Sequence, residues 1–358
     1  MDYLQGLELK MAALQRKVRL LQDLRFYLES ADSEDLASFG EELRSVGTNR
    51  GVSVGALLAS ILGSRESRAS APISGVSVAP PNLTVSPNLT VSPNLAVPPN
   101  LAVPPNLAVP PIVEETSSPA ALDEAKALIE PFLMEIPAGK FVMGSDESEA
   151  EKPAHGVTLG TYRICDHLIT CTEYALFLSN HPEWAKDRAD PELRDEHYLE
   201  DWGRDGYPEG KGDHPVAFVS FFAAKAFASW LGLRLPTEAE WERAARGGLV
   251  GKRYPDGDQM NEKLANFAKQ RRGTTSVRSY EPNGFGLYDV AGNLFEWTED
   301  WYGPYAAGEA ADPRGPRDGE YKVVRGGSWM SGAGTLRVGA RFDMDPRTCS
   351  QVGIRVAR

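Results

Sequence analysis

Apolar side chains at Leu4, Leu7, Met11, Leu14, Val18, Leu21 and Leu28 fall on a three-four spacing, interrupted at Arg25, with Gln, Lys, Arg and Glu between them. That periodicity predicts a helix with one apolar seam. The seam is short for a coiled coil, so two partners stay open. It can meet a second copy of the chain, giving a homo-oligomer, or the helices predicted over Ser33–Val46 and Ser53–Leu62, giving a small monomeric bundle. Residues 81–111 then repeat with a period of six, Pro-Asn-Leu-Thr-Val-Ser passing into Pro-Asn-Leu-Ala-Val-Pro. Proline at that density, without charge or aromatic surface, predicts an extended spacer, because such a segment has nothing with which to build a core.

From about Pro119 the pattern becomes that of a globular domain, rich in Gly, Trp and Tyr. Phe132 to Met143 reads as a strand, a turn at Pro137-Ala-Gly139 and a second strand; His155 to Ile164 reads as another strand. Helices are predicted from Thr172 to Leu178, capped by Thr170 or Thr172, from Phe221 to Leu231, and from Thr237 to Ala245, which opens with a capping-box sequence. Short Gly-bounded segments follow. The expected organisation is a helical module at 1–65, a Pro-rich linker at 66–118 and a globular domain at 119–358.

Charge and cysteine content narrow the function. The formal charge is −12, and residues 1–70 carry nine basic and ten acidic side chains while residues 71–111 carry none, so the acidity sits in the C-terminal part. A surface of that sign repels phosphate backbones, and nucleic acid is not expected as a partner. No stretch is long enough for a bilayer span, and no basic leader precedes an apolar run, so the cytoplasm is the default compartment and membrane insertion is not expected. Display on a cell or phage surface stays open. Three cysteines, Cys165, Cys171 and Cys349, make a poor disulfide framework and are expected as buried thiols. Cys165 and Cys171 flank a run, Ile164 to Thr172, that reads as strand-like.

Several strings of the globular part resemble the formylglycine-generating enzyme (sulfatase-modifying factor) family: Ile136-Pro-Ala-Gly-Lys-Phe-Val-Met-Gly144, His214-Pro-Val216, Leu233-Arg-Leu-Pro-Thr-Glu-Ala-Glu-Trp-Glu242, Asn283-Gly-Phe-Gly-Leu-Tyr-Asp-Val-Ala-Gly-Asn293, Glu296-Trp297, Arg325-Gly-Gly-Ser-Trp329 and the ending Gly353-Ile-Arg-Val-Ala-Arg358. The resemblance implies an α+β, C-type lectin-like fold with little regular secondary structure. Within it Trp241, Trp297 and Trp329 are expected to be framework residues.

The same resemblance implies what chemistry to look for. Family enzymes oxidise a substrate cysteine with a copper-binding cysteine pair just after the Gly-Gly-Ser-aromatic motif. Here the first of those positions falls on Ser331 and the second near Thr335 or Leu336. Hydroxyl and alkyl groups cannot hold Cu(I) as thiolate does, so no copper and no catalytic residue are expected. The family also holds a structural calcium ion, which maps onto Asn293, Glu296 and the carbonyl of Leu294.

Between Trp329 and Gly353 a framework of Leu336-Arg337, Ala340-Arg341, Asp345-Pro346-Arg347 and Val352-Gly353 alternates with Met330, Ser331, Gly332, Gly334, Thr335, Val338, Gly339, Phe342, Asp343, Met344, Thr348, Ser350 and Gln351. The arrangement resembles the variable proteins of diversity-generating retroelements, in which the C-terminal end of a lectin fold is diversified. That implies a receptor-like protein whose segment 325–358 binds diverse ligands, most readily proteins. An oxidoreductase working on a protein or thiol substrate through an altered site, with Cys349 or a metal recruited, is the alternative.

Overall fold

A computed structural model describes residues 119–260 and 262–358, and the predicted helical module and linker lie outside the described residues. Four helices and nine short strands, joined by long irregular segments, make up the described part. Helix α1 (Pro119–Ile129) leads into β1 (Leu133–Ile136) and β2 (Gly139–Met143). Strands β3 (His155–Leu159) and β4 (Tyr162–Cys165) follow, then α2 (Cys171–Asn180), α3 (Phe221–Trp230) and α4 (Glu238–Ala245). The last strands are β5 (Phe295–Trp301), β6 (Ala310–Ala311), β7 (Lys322–Arg325), β8 (Phe342–Met344) and β9 (Val352–Gly353).

Local sequence accounts for the helix starts. Thr170 accepts from the Glu173 amide while the Glu173 side chain reaches back to the Thr170 amide, and Thr237 and Glu240 repeat the arrangement on α4. Two otherwise orphaned donors are satisfied at each start. The amide of Glu238, in the first turn of α4, donates to the carboxylate of Asp300 at 2.8 Å. Burial, reinforced by Glu238, pushes the Asp300 carboxyl up to about 7.

Three small sheets organise the strands. β1 pairs with β4, β2 with β3 and β3 with β6, and a four-stranded sheet runs in the order β8-β7-β5-β9. Two expectations change here. The single strand expected over His155 to Ile164 is two, β3 and β4, and the strands on either side of Pro137-Ala-Gly139 pair with these, β1 with β4 and β2 with β3. The run from Ile164 to Thr172 is not a strand: β4 ends at Cys165, a bend follows, and α2 begins at Cys171.

The chain's last residues lie inside this framework. The Arg163 amide donates to the Arg358 carbonyl and the Arg358 amide to the Arg163 carbonyl, while Ala357 and Arg234 exchange amide and carbonyl on the other side. Residues 354–357 are therefore fully buried. Tyr162, Ile164, Trp241, Val290, Val338 and Ala357 share one apolar cluster, so α4, β4 and the tail form one core.

Candidate functional site

Framework residues of the C-terminal segment are held by buried ion pairs. Arg325 donates to Glu242 and, at 3.3 Å, to Glu238. Arg341 grips Glu238 with two bonds of 2.7 Å. Arg337 grips Glu151 with bonds of 2.6 and 2.7 Å, and Arg355 grips Glu296 with bonds of 2.8 and 2.9 Å. Bidentate guanidinium–carboxylate geometry fixes direction as well as position. Arg325, Arg337, Arg341 and Arg355 are thus clamps onto α4, β5 and the segment before β3, whereas Arg347 pairs locally with Asp345. They hold the intervening residues at set positions.

Those intervening residues divide into two groups. Met330 (39% exposed), Gly334 and Asp343 are exposed, and Phe342, Met344, Thr348, Ser350 and Gln351 are half-buried. Ser331, Gly332, Thr335, Val338 and Gly339 are buried, which corrects the expectation that all thirteen form one contact surface. The reasons are specific. Val338 packs in the cluster with Trp241 and Val290, and Gly339 lies against the Glu151 carboxylate and Ser145, where a β-carbon would stand 3.1 and 3.3 Å from them, a tight fit.

Contacts tie part of the outward group together. Trp329, half-buried, donates its indole N–H to the Gln351 side chain at 2.6 Å. The Gln351 carbonyl accepts from Phe295, whose ring meets Phe342 edge-on at 5.6 Å. Phe342 and Met344 sit on the edge strand β8, opposite Val324 and Lys322, and Ser350 Oγ lies 4.0 Å from the Met344 sulfur. Sequence reasoning missed one neighbour, the exposed loop at 268–272. Its Ala268 amide donates to the Ser331 carbonyl and its Lys269 amide to the Trp329 carbonyl. Ala268 and Lys269 both take left-handed φ angles, of 51° and 57°, which no local glycine or asparagine pattern signals.

The positions at which a cysteine pair is expected converge. A β-carbon placed on Gly327 would stand 2.9 Å from Leu336, 3.3 Å from Thr335 and 3.4 Å from Ser331, so these side chains crowd one point. Ser331 Oγ, 5% exposed as a residue, accepts from the Ser328 amide. Leu336 belongs to an apolar cluster with Tyr254, Ala265, Phe267 and Ala291. The three cysteines, none in a disulfide and all buried, lie in other segments: Cys165 at the end of β4, Cys171 at the start of α2, and Cys349 with its amide on Asp195.

The donor set expected for calcium does not fit a hard dication. Glu296 is wholly buried, and Arg355 and the Trp241 indole take its two oxygens. The Arg355 guanidinium already pairs with Glu296, at 2.8 Å from Nε. Asn293 uses its side-chain oxygen to accept from the Thr275 amide at 3.0 Å and the Asn266 amide group at 3.4 Å. Leu294 is fully buried just before β5.

Comparison with known proteins bears on this geometry. The family described as the sulfatase-modifying factor enzyme 1-like domain matches residues 119–358. The serine/threonine-protein kinase pkn1 of Chlamydia pneumoniae is 38% identical over 242 residues, covering 64% of this chain and 38% of the kinase. The chain therefore spans well under half the length of that relative. The formylglycine-generating enzyme of Streptomyces coelicolor is 34% identical over 274 residues, covering 62% of this chain and 87% of the enzyme. Among solved structures, Treponema denticola variable protein 1 superposes with a TM-score of 0.52 at 24% identity over 63% of this chain and 94% of its own, a likeness of fold. PvdO from Pseudomonas aeruginosa gives 0.50 at 25% identity over 63% and 92%.

Proposed function

Because the chain belongs to the sulfatase-modifying factor enzyme 1-like family, with the α+β, C-type lectin-like fold that its motifs imply, we propose that it binds a ligand through segment 325–358 and does not carry out the family's oxidation. One observation carries the proposal. Where the family resemblance places a copper-binding thiol pair, this chain packs a hydrogen-bonded serine beside Thr335 and Leu336 under Gly327. A hydroxyl cannot cycle through disulfide chemistry, and an alkyl group offers no donor.

The clamped arginines supply the other half of the reading. Substitution at Met330, Phe342, Asp343, Met344, Thr348, Ser350 or Gln351 would leave the ion pairs and the core in place, as a diversified binding surface requires. Aromatic, Met and small polar groups together suit a protein ligand. Comparison of this gene among close isolates tests the diversified reading. Changes confined to the outward positions support it, and changes spread evenly over the domain overturn it.

The relationship to formylglycine-generating enzymes favours a second reading, oxidation through an altered site. Incubating the purified chain with copper, oxygen and a cysteine-containing peptide separates the two. No aldehyde is expected; aldehyde formed in the unaltered chain and lost in Cys349→Ser would establish the enzyme.

A further inference from the structure

A second constellation lies away from the C-terminal segment. At the end of β4, consecutive residues Cys165, Asp166 and His167 place a sulfur, a carboxylate oxygen and an imidazole nitrogen within 4.8 Å of one another, all three residues being buried. His167 Nδ1 is 3.3 Å from Cys165 Sγ and 2.6 Å from Asp166 Oδ1. The other ring nitrogen, Nε2, is 3.1 Å from Glu173 Oε1, and Glu173 is itself fixed through Oε2 by the Thr170 amide at 2.7 Å and hydroxyl at 2.9 Å. A carboxylate on the far nitrogen is the usual device that orients a metal-binding imidazole and raises its basicity.

We propose that Cys165 Sγ, Asp166 Oδ1 and His167 Nδ1 bind one borderline divalent metal ion, zinc in the first instance. Mixed sulfur, nitrogen and oxygen donors suit zinc, and three protein ligands leave a fourth position for water. Charge balances in the exchange. Bound as thiolate, carboxylate and neutral imidazole, the three ligands offset the charge of the ion, and any protons they carry pass to solvent.

The surroundings already select for a cation. Carboxylate oxygens of Asp166 and Glu173 flank the two nitrogens of His167, at 2.6 and 3.1 Å. Arg278 is the competitor: its Nη2 donates to Asp166 Oδ1 at 2.7 Å and lies 3.2 Å from His167 Nδ1. Its side chain is 30% exposed, against 3% for His167 and 10% for Asp166, so it marks the side from which an ion enters. Both His167 and Arg278 use Oδ1, which leaves the second oxygen of Asp166 to keep the arginine once the metal is seated.

The test uses the full chain loaded with zinc, dialysed and analysed for metal, and a parallel sample loaded with cobalt. Stoichiometric retention of zinc is expected, together with a near-ultraviolet thiolate-to-cobalt charge-transfer band. Cys165→Ser should abolish the band, and His167→Gln should weaken zinc binding at least about tenfold. No retained zinc in the unaltered chain, or a cobalt complex without the thiolate band, overturns the proposal without recourse to any variant. Equal retention in both variants, shown to be folded by circular dichroism, overturns it as well.

Discussion

Arg355 and Glu296 face each other wholly buried, with Arg355 donating from Nε at 2.8 Å and from Nη2 at 2.9 Å to the two carboxylate oxygens. The same guanidinium donates to the carbonyls of Cys165 and Tyr288, so one side chain ties the tail, β4, β5 and the segment before β5 together.

Removing one partner of this pair leaves the other charged and unpaired inside the protein. Arg355→Met is expected to cost on the order of 3–5 kcal/mol of unfolding free energy. The double variant Arg355→Met with Glu296→Gln should cost less than the sum of the single changes. Urea titration of the four chains measures the coupling, and strict additivity would refute the assignment of Arg355 as a tie.

Gly327 has φ of 74° and stands beneath Leu336, Thr335 and Ser331. Gly327→Ala is expected to destabilise by about 1–3 kcal/mol, from backbone strain and overpacking combined. Gly334 has open space around its α-carbon, so Gly334→Ala should stay within about 0.5 kcal/mol. Thermal denaturation of the two variants shows the contrast, and comparable losses would refute the crowding.

Much of the helical part was legible because capping is local. Thr237 with Glu240 announces α4 within four residues, while Thr170 and Thr172 both offer themselves as caps for α2 and the helix takes Thr170, starting at Cys171. Strand pairing was not legible. Nothing near Pro137-Ala-Gly139 says that β1 seeks β4 while β2 seeks β3, since register is decided by partners far along the chain. At the candidate site, the sequence distinguished arginine anchors from intervening residues. It could not distinguish Val338, which reaches the core, from Met330, which does not, because burial in an irregular segment follows no period.

That division gives its own expectation. Val338→Ala should lose on the order of 1–2 kcal/mol because it opens a cavity beside Trp241 and Val290. Met330→Ser and Asp343→Asn, on exposed positions, should each stay within about 0.5 kcal/mol. Guanidinium titration distinguishes the groups. A loss at Met330 as large as at Val338 would mean that it is framework and not available surface.

Asp300 sets the sign of a pH effect. Its carboxyl is held at about 7 by burial and by Glu238, against 3.8 for the free side chain. Between those values the folded chain keeps a proton that the unfolded chain has released, so this group's contribution to stability falls as pH rises and is fully lost above about pH 7. Asp289, raised to about 6 by burial, pushes in the same direction. Asp300→Asn keeps an oxygen that can accept from the Glu238 amide but removes the titration. The variant should therefore lose less stability than the parent between pH 4.5 and 8, by up to about 3 kcal/mol. Lys322 stabilises the ionised carboxylate and so keeps the pKa below what burial and Glu238 alone would give. Urea titrations at the two pH values decide it, and parallel losses in parent and variant would show that Asp300 ionises in the fold as freely as in the unfolded chain.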